Sequence, residues 1–346
     1  MSPEQQEVSL NAEGELSPFE RRGSLERVLA QQAEHPSKEN VIAFKFGGSS
    51  LLGAERLLHA ARLVQDAART RRVTVVVSAM KGVTDRLLVV GQWLGQGRNA
   101  QARNEAEAIA ELHRATLQDL QLDAEEHKRV EQEMEFLSAD LVHETPLCGR
   151  VEVNGILLDL LASFGERYAA RLLAAALRKI GVSAAPVSSS DFVLTCDNFR
   201  DAQPHLEHTR RRGREVLLPL LEAGIVPVVT GFIGATQDGR ITTLGRNSSD
   251  FSGALIAHVV AAEELVIWTD VDGIYTANPH ESTEARLLHE LSYDEARALA
   301  ASGAKVLHPR VLPLAAQTEM TVWVRNTFKP HARGTRIGSA QNGGLA

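Results

Sequence analysis

The sequence predicts an α/β fold built on a mainly parallel sheet. The first reason is a strand–helix–strand unit, formed by an apolar run at 41–46, an amphipathic helix at about 54–69 and a second buried strand at 73–77. The second reason is that strand and helix patterns continue to alternate along the chain, as they do in α/β proteins. Parallel sheets bind ligands at the carboxyl ends of their strands, so we expect functional residues directly after the strands.

Composition and charge exclude several classes of function. The 346 residues allow one large domain or two lobes. A net charge of −7 argues against non-specific nucleic-acid binding. Two cysteines make neither a disulfide framework nor a metal site, and no apolar stretch approaches the length of a membrane span. We therefore expect a cytoplasmic protein that binds neither nucleic acid nor membrane and has no dedicated set of metal ligands.

The first strand ends in a candidate anion site. Residues 1–40 precede it and, being rich in Glu, Gln and Ser, predict a flexible N-terminal extension. The strand contains Lys45 near its end, and Gly47, Gly48 and Ser49 follow. Paired glycines let the backbone turn and approach a ligand, while a lysine with free backbone N–H groups suits a phosphate. An ordinary glycine turn beside a solvated lysine is the alternative.

A polar helical stretch follows the second strand. Residues 99–141 are Glu- and Ala-rich and helical in period, which predicts an antiparallel pair of helices at the edge of the domain. His113, His127 and His143 lack the mutual spacing of metal ligands, so we expect them to be exposed helix residues.

A longer helix is predicted at about 153–180, and it contains a glycine. Gly165 costs about 1 kcal/mol in a helix interior, which indicates close packing or close approach of a ligand. Glu166 beside it is either a substrate contact or a salt-bridged helix residue.

The second half of the chain continues the alternation and then presents a second polar cluster. Strands are predicted at 184–187, 192–194, 225–230, 265–268 and 320–324, helices at about 205–223, 293–301 and up to 318, and a hairpin turn at 237–240.

Ser249 or Asp250 is predicted as the N-cap of a helix that runs to about 262. Arg246 lies just ahead of this N-terminus, and the two together suit an anion, because an arginine offers a carboxylate two parallel hydrogen bonds. Asp250 adds a carboxylate that can hold Mg²⁺ or position a lysine; a capping turn beside a solvated arginine is the alternative.

Polar residues also follow the strand at 265–268. Thr269, Asp270 and Tyr275 cluster there with a glycine turn, as a nucleotide pocket requires. Lys305, further along, is either a second phosphate ligand or a surface lysine. The sequence contains no P-loop, Rossmann or protein-kinase motif, so those nucleotide-binding folds lose their main support.

Eight motifs occur in a characteristic order. They are KFGGSS at 45–50, SA at 78–79, GVT at 82–84, GE at 165–166, TGFIG at 230–234, TLGRNSSD at 243–250, WTDVDGIY at 268–275 and GAKVLHP at 303–309. Together they resemble the catalytic domain of aspartate kinase, a branch of the amino acid kinase family, over about residues 41–338. The resemblance implies a three-layer αβα sandwich with a mainly parallel central sheet. It also implies a substrate lobe at about 41–224, a nucleotide lobe at 225–338 and a tail at 339–346; typical members continue into small regulatory domains, and none is expected here.

The resemblance further implies ATP-dependent phosphorylation of the side chain of L-aspartate, a first step towards lysine, threonine and methionine, with Mg²⁺ as cofactor. Lys45 and Asp250 would be catalytic. ATP would contact Lys45, Gly47, Gly48, Ser49, Thr269, Asp270, Tyr275 and Lys305, and aspartate would contact Ser78, Thr84, Glu166, Phe232, Arg246 and Ser249. Glu166 would take the ammonium group and Arg246 the α-carboxylate. A homodimer, or a fusion to another pathway enzyme, stays open.

This chemistry suits the residue types independently of the resemblance. A side-chain carboxylate has a reference pKa of about 3.9, so the nucleophile is already ionised at neutral pH and needs no general base. Catalysis then consists of holding two anions in line and neutralising the charge on the phosphoryl oxygens.

Three positions depart from the family pattern and keep alternatives open. Ser248 stands where glycine is usual, and a serine forced to positive φ costs roughly 1 kcal/mol. Asn278 and His280 stand where an acidic residue and an arginine are usual. The alternatives are a kinase for another amino-acid carboxylate and a catalytically weakened amino-acid-binding subunit.

Overall fold

The computed structural model describes residues 40–146, 152–277, 284–301 and 307–339. Residues 1–39 of the predicted extension lie outside the described residues, as do Asn278, His280, Lys305 and the tail from 340 onward.

The described residues form twelve strands and nine α-helices. The strands are β1 (Val41–Phe46), β2 (Arg72–Val77), β3 (Ala184–Val187), β4 (Val226–Thr230), β5 (Ile233–Ala235), β6 (Ile241–Thr243), β7 (Glu264–Thr269), β8 (Ile274–Tyr275), β9 (Leu287–Leu288), β10 (Glu290–Ser292), β11 (Thr321–Asn326) and β12 (Thr335–Gly338). The helices are α1 (Ala54–Ala68), α2 (Val83–Gly95), α3 (Asn99–Asp119), α4 (Ala124–His143), α5 (Gly155–Lys179), α6 (Leu206–Glu222), α7 (Ser249–Val259), α8 (Tyr293–Ala301) and α9 (Val311–Gln317).

Eight strands make one central sheet in the order β10-β12-β11-β7-β1-β2-β4-β3. Every neighbouring pair is parallel except β11 and β12, which confirms the predicted mainly parallel sheet. Strands from both sides of the predicted lobe boundary belong to this sheet, because β4 lies between β2 and β3. The division into a substrate lobe and a nucleotide lobe stays a prediction.

Helices cover both faces of the sheet and give the three-layer αβα arrangement that was expected. One apolar core joins Phe44 and Phe46 to helices α1 to α5, and the other joins Ala43 to α6, α7 and α9. This separation follows from the alternation of side chains along a strand. Lys45 therefore points to the same face as Ala43, towards α7.

The prediction of a strand at 192–194 is wrong. The chain there forms a 3₁₀ turn at Ser189–Asp191 and a single β-bridge from Leu194 to Ala235. The backbone N–H of Ala235 donates to Val193 O at 2.9 Å. The segment lies along the β5–β6 hairpin rather than in the central sheet, because its hydrogen-bonding groups are already used by that hairpin.

Helix α2 was not predicted by the sequence patterns above. Its sequence, VTDRLLVVGQWLG, contains β-branched residues and glycines, which are weak helix formers. Val83, Leu87, Val90 and Leu94 nevertheless lie at helical spacing and are buried. Tertiary packing of this apolar face therefore outweighs the local propensity.

The prediction of an exposed His113 is also wrong. His113 is fully buried, its ring stacks on Tyr168 with centroids 4.3 Å apart, and its Nδ1 lies 2.7 Å from Ile109 O. Burial lowers the pKa of His113 to about 4, so the ring is neutral at physiological pH. Within the part of the chain that the structure describes, we find no cluster of His, Cys, Asp and Glu suited to a metal ion and no helix with the length and hydrophobicity of a membrane span.

Candidate active site

The site begins where β1 ends. Lys45 lies between Val76 of β2 and Ile267 of β7 and is only 6% exposed. Its Nζ lies 2.7 Å from Asp250 Oδ1, in the first turn of α7. Gly253 permits this approach of the helix, since a Cβ there would lie 3.1 Å from Lys45 Cβ. This pairing fits the positioning of a lysine, and the binding of Mg²⁺ by Asp250 stays a prediction.

Helix α7 begins differently from the prediction. The N-cap position is Ser248 and no side chain caps the helix, so the predicted cap at Ser249 or Asp250 is wrong. The Asp250 carboxylate is bonded to the lysine instead. Ser248 has φ −79°, and the positive φ angles nearby belong to Gly245 and Asn247. The cost predicted for a serine at positive φ does not arise, and the hypothesis of a weakened subunit loses that support.

The two glycines after β1 serve close approach of backbones. Gly47 N–H donates to Trp268 O at 3.0 Å, which ties the loop to the end of β7. A Cβ on Gly48 would lie 2.5 Å from Ala79 O and 2.9 Å from the backbone N of Lys81. Only glycine therefore lets the loop after β1 pack on the loop after β2.

Glu166 is buried beside the loop after β2. Its Oε1 accepts the Ala79 N–H at 3.0 Å, and its buried Oε2 has no hydrogen-bond partner among the described residues. A Cβ on Gly165 would lie 2.5 Å from Ala79 Cβ, which confirms the prediction of close packing at this glycine. Burial raises the pKa of Glu166 to about 8, although the Ala79 N–H and the nearby Lys45 both act against the rise. A cationic ligand would satisfy the free oxygen and favour the ionised form.

The side chain of Arg246, which precedes α7 in the chain, reaches the first turn of α2. Its Nη2 is 2.9 Å from Asp85 Oδ1, and both side chains are about three-quarters exposed. Thr84 precedes Asp85 in the chain, and Ser78, directly after β2, donates its N–H to Phe46 O at 3.1 Å. The guanidinium is therefore accessible from solvent and already pairs with one carboxylate.

Phe232 has an uncommon backbone conformation for a non-glycine residue, with φ +66°. Its N–H donates to Ser252 Oγ of α7 at 2.8 Å. The preceding Gly231 packs tightly, since a Cβ there would lie 2.7 Å from Val77 O and 3.5 Å from Ser249 Cβ. The ends of β2 and β4 and the start of α7 thus meet at one point.

Three residues predicted to bind the nucleotide, Ser49, Thr269 and Asp270, follow or end β1 and β7 at the same edge of the sheet. Ser49 is half-buried in the short 3₁₀ turn after β1. Thr269 ends β7, its Oγ1 lies 3.4 Å from Asp270 Oδ1, and its carbonyl accepts the Thr327 N–H at 2.8 Å. Tyr275 lies on the β8–β9 ribbon, outside the central sheet.

The sequence analysis did not select two carboxylates, one of them buried and the other paired with a lysine. Asp159 on α5 is fully buried and accepts hydrogen bonds from Thr243 and Arg200; burial raises its pKa, and these hydrogen bonds oppose the rise. Asp272 bonds to Lys329 Nζ at 2.8 Å, which holds the pKa of Asp272 below its usual range. A single acidic residue within the apolar run GILLDLLA was the available signal for Asp159.

Comparison with known proteins gives consistent matches. The model of the amino acid kinase family matches residues 40–326. Lysine-sensitive aspartokinase 3 of Escherichia coli (strain K12) is 32% identical over 297 residues, which cover 86% of this chain and 64% of that protein. The chloroplastic bifunctional aspartokinase/homoserine dehydrogenase 2 of Arabidopsis thaliana is 31% identical over 319 residues, which cover 89% of this chain and 33% of that protein.

A solved structure shares the fold. The crystal structure of E. coli aspartokinase III in complex with aspartate and ADP matches with a TM-score of 0.75 and 31% identity, covering 88% of this chain and 66% of that one. The chain thus spans between one third and two thirds of the length of the proteins that it matches here.

Proposed function

This chain belongs to the amino acid kinase family, and we propose that it transfers the γ-phosphoryl group of ATP to the side-chain carboxylate of L-aspartate, giving 4-phospho-L-aspartate. The observation that carries the proposal is a buried cation, Lys45, near a buried carboxyl with one free oxygen, Glu166. The aspartokinase names of the relatives, and the aspartate and ADP in the E. coli crystal structure, support this pair of substrates. The product would enter lysine, threonine and methionine synthesis.

The amino-acid end of the substrate would bind between α5 and α2. Glu166 would take the ammonium group through its free Oε2, and Arg246 would exchange its exposed partner Asp85 for the α-carboxylate. The remaining contacts are proposed for Ser78, Thr84, Phe232 and Ser249, which surround the ends of β2 and β4.

The phosphoryl end would lie over the loop after β1. Lys45 Nζ and the loop of Gly47, Gly48 and Ser49 are suited to the γ-phosphoryl oxygens, with the Gly47 N–H already bonded to Trp268 O. Asp250 would hold Lys45 in place and is the carboxylate that fits a Mg²⁺ ion arriving with the nucleotide, because Mg²⁺ in kinases uses one or two carboxylates plus phosphate oxygens. Bound Mg²⁺ would neutralise part of the phosphate charge.

The rest of ATP would extend towards the end of β7. Thr269, Asp270 and Tyr275 are proposed as its contacts, together with Lys305, which lies outside the described residues. Thr269 fits this role because its strand end is tied to the loop after β1 through Gly47.

The reaction itself needs no general base. One carboxylate oxygen of aspartate attacks the γ-phosphorus, the bond from that phosphorus to the β–γ bridging oxygen breaks, and ADP leaves with the electron pair. The protein brings two anions together and neutralises the charge, which are tasks for Lys45 and the adjacent N–H groups.

An acyl-phosphate trapping assay tests the proposal. The protein is incubated with ATP, Mg²⁺ and hydroxylamine across a panel of amino acids, and hydroxamate formation is measured. We expect aspartate to exceed glutamate at least about 10²-fold in kcat/KM, because a misplacement of the nucleophile by about 1 Å can cost that factor. Preference for another amino acid would favour the kinase for a different carboxylate, and binding without turnover would favour the weakened subunit.

The assembly of the protein stays a prediction. A fusion is what the name of the bifunctional Arabidopsis relative describes. For this chain we propose either a homodimer or a fused form, and light scattering of the purified full-length protein distinguishes a monomer from a dimer.

A further inference from the structure

A buried carboxylate outside the proposed substrate contacts connects the two halves of the aspartate site. Asp159 Oδ2 accepts the Thr243 N–H at 2.8 Å and the Arg200 N–H at 2.9 Å. Its Oδ1 accepts the Thr243 hydroxyl at 2.7 Å and lies 3.5 Å from Arg200 Nε. Asp159 is fully buried, so these bonds between a charged acceptor and its donors are shielded from water.

Helix α5 carries this carboxylate and Glu166 on one face. Asp159 and Glu166 are seven residues apart, which is two helical turns and about 10 Å along the axis. Glu166 bonds to the loop after β2 through Ala79, and Asp159 bonds to the end of β6 through Thr243. A rigid helix therefore connects the loop beside Glu166 to the segment that leads to Arg246.

The segment from Thr243 to Arg246 has little freedom of its own. Thr243 O accepts the Ala202 N–H at 2.9 Å, and Leu244 N–H donates to Phe232 O at 2.9 Å. Gly245 has φ +95°, and the exposed Arg246 follows directly. A shift at Thr243 would therefore be passed to Arg246 over three residues.

Arg310 makes a second set of contacts to this part of the site. Arg310, at the N-cap position of α9, bonds to Asp201 Oδ1 at 2.5 Å and to Leu244 O at 3.3 Å. The segment is thus held by side chains of α5 and of the α9 N-terminus. The Asp159 contacts are buried, whereas the Arg310–Asp201 pair is partly exposed to solvent.

We propose that Asp159 is a positioning residue that sets the place of Arg246 relative to Glu166, through its bonds to Thr243. The inference rests on the proposed function, in which these two side chains bind the two ends of the amino-acid backbone. The spacing of the site would then be determined by α5. A loss of the Asp159 bonds would impair recognition of aspartate and leave the ATP side in place, because Lys45 and Asp250 are held by separate packing of α7 on β1.

The test changes Thr243 rather than Asp159. Asp159→Ala would leave two N–H groups of the buried cluster without their acceptor and is expected to disturb the fold. Thr243→Val removes only the hydroxyl bond, and Thr243→Ser keeps that hydroxyl. Thr242→Val is the matched control, because Thr242 is the buried neighbour on the same strand and its hydroxyl bonds to Thr195 at 2.7 Å, away from Asp159.

We expect Thr243→Val to raise KM for aspartate about tenfold, since a hydrogen bond to a charged group is lost, and to leave KM for ATP within about twofold. Thr243→Ser should restore KM for aspartate, and Thr242→Val should leave it unchanged. Equal effects of the two valine variants, a parallel rise of both KM values, or failure of the serine variant to restore binding would overturn the inference.

Amide hydrogen exchange tests the hydrogen-bonded cluster of Asp159, Thr243 and Arg200 without any substrate. Exchange in the peptide covering 244–248 should be faster in Thr243→Val than in Thr242→Val, and equal rates would overturn the inference. A wild-type protein that does not phosphorylate aspartate would refute the proposed function instead. The exchange result would then show only whether the Asp159–Thr243 bonds hold the 244–248 segment in place.

Discussion

Replacing Glu166 by glutamine is the most direct test of the amino-acid site. Glutamine keeps the side-chain length, and its carbonyl oxygen can still accept the Ala79 N–H, but the negative charge is lost. A hydrogen bond to a charged group contributes about 1.5–3 kcal/mol, so the loss of the anionic partner of the ammonium should raise KM for aspartate by about 10- to 150-fold. KM for ATP should change much less.

The pH dependence gives the same test a second readout. Because burial raises the pKa of Glu166 to about 8, the side chain of the free protein is mostly neutral at pH 7. The ionised fraction is about 1% at pH 6, about 9% at pH 7 and about 50% at pH 8. Since kcat/KM reports groups of the free enzyme, it should rise about ninefold from pH 6 to 7 and about fivefold from pH 7 to 8.

The assay is a set of initial rates of ADP release at an ATP concentration well below its KM, with aspartate varied, between pH 6 and 8.5, so that the rates report the free enzyme. Glu166→Gln should show no rise across this range, and Thr242→Val, which lies outside the proposed contacts, should follow the wild type. A glutamine variant with the KM of the wild type would refute the assignment of Glu166 to the ammonium group, and a flat wild-type profile would refute the raised pKa of Glu166.

Three further changes have expected outcomes. Lys45→Ala should keep the fold by circular dichroism and lose at least about 10²-fold in kcat, since one donor to transition-state charge contributes about 2.7–4 kcal/mol; more than a tenth of the wild-type rate would contradict this role. Arg246→Lys should raise KM for aspartate although the charge is kept, because an ammonium cannot make two parallel hydrogen bonds; an unchanged KM, or an equally good α-amide substrate, would argue against α-carboxylate binding. Protonation of His113 on unfolding should lower the free energy of unfolding by up to about 3 kcal/mol as pH falls from about 6.5 to about 4, because burial lowers its pKa in the folded protein. In urea titrations His113→Phe, which keeps a ring against Tyr168, should lose this slope, and equal slopes in the two proteins would be the contrary result.

Most of the secondary structure could be predicted from local patterns. The strand–helix–strand unit from Val41 to Val77, the long helix α5 and the β5–β6 hairpin all follow from periodicity and turn residues. The errors lie where distant contacts overrule local preference. Helix α2 forms on weak helix formers because its apolar face is buried, and the 192–194 segment pairs with a hairpin that lies about 40 residues further along.

The residues of the candidate site could be selected from the sequence, but their state could not. The order of the motifs is sufficient to select Lys45, Glu166, Arg246 and Asp250 as candidates. Their environments depend on elements far apart in the chain: α7 brings Asp250 to Lys45, and Glu166 is enclosed by the loop after β2. A pKa depends on the solvent and charges around a group, which exist only once the chain has folded.

The sequence by itself determined the alternation of strands and helices, because side-chain period and backbone propensity are properties of neighbouring residues. The tertiary structure alone decided which polar groups are buried. His113 was expected to be exposed and Asp159 was not selected from the sequence, yet both are fully buried in the fold. Around a buried polar group, each donor and acceptor affects the stability of the folded protein, because water can no longer replace a missing hydrogen bond.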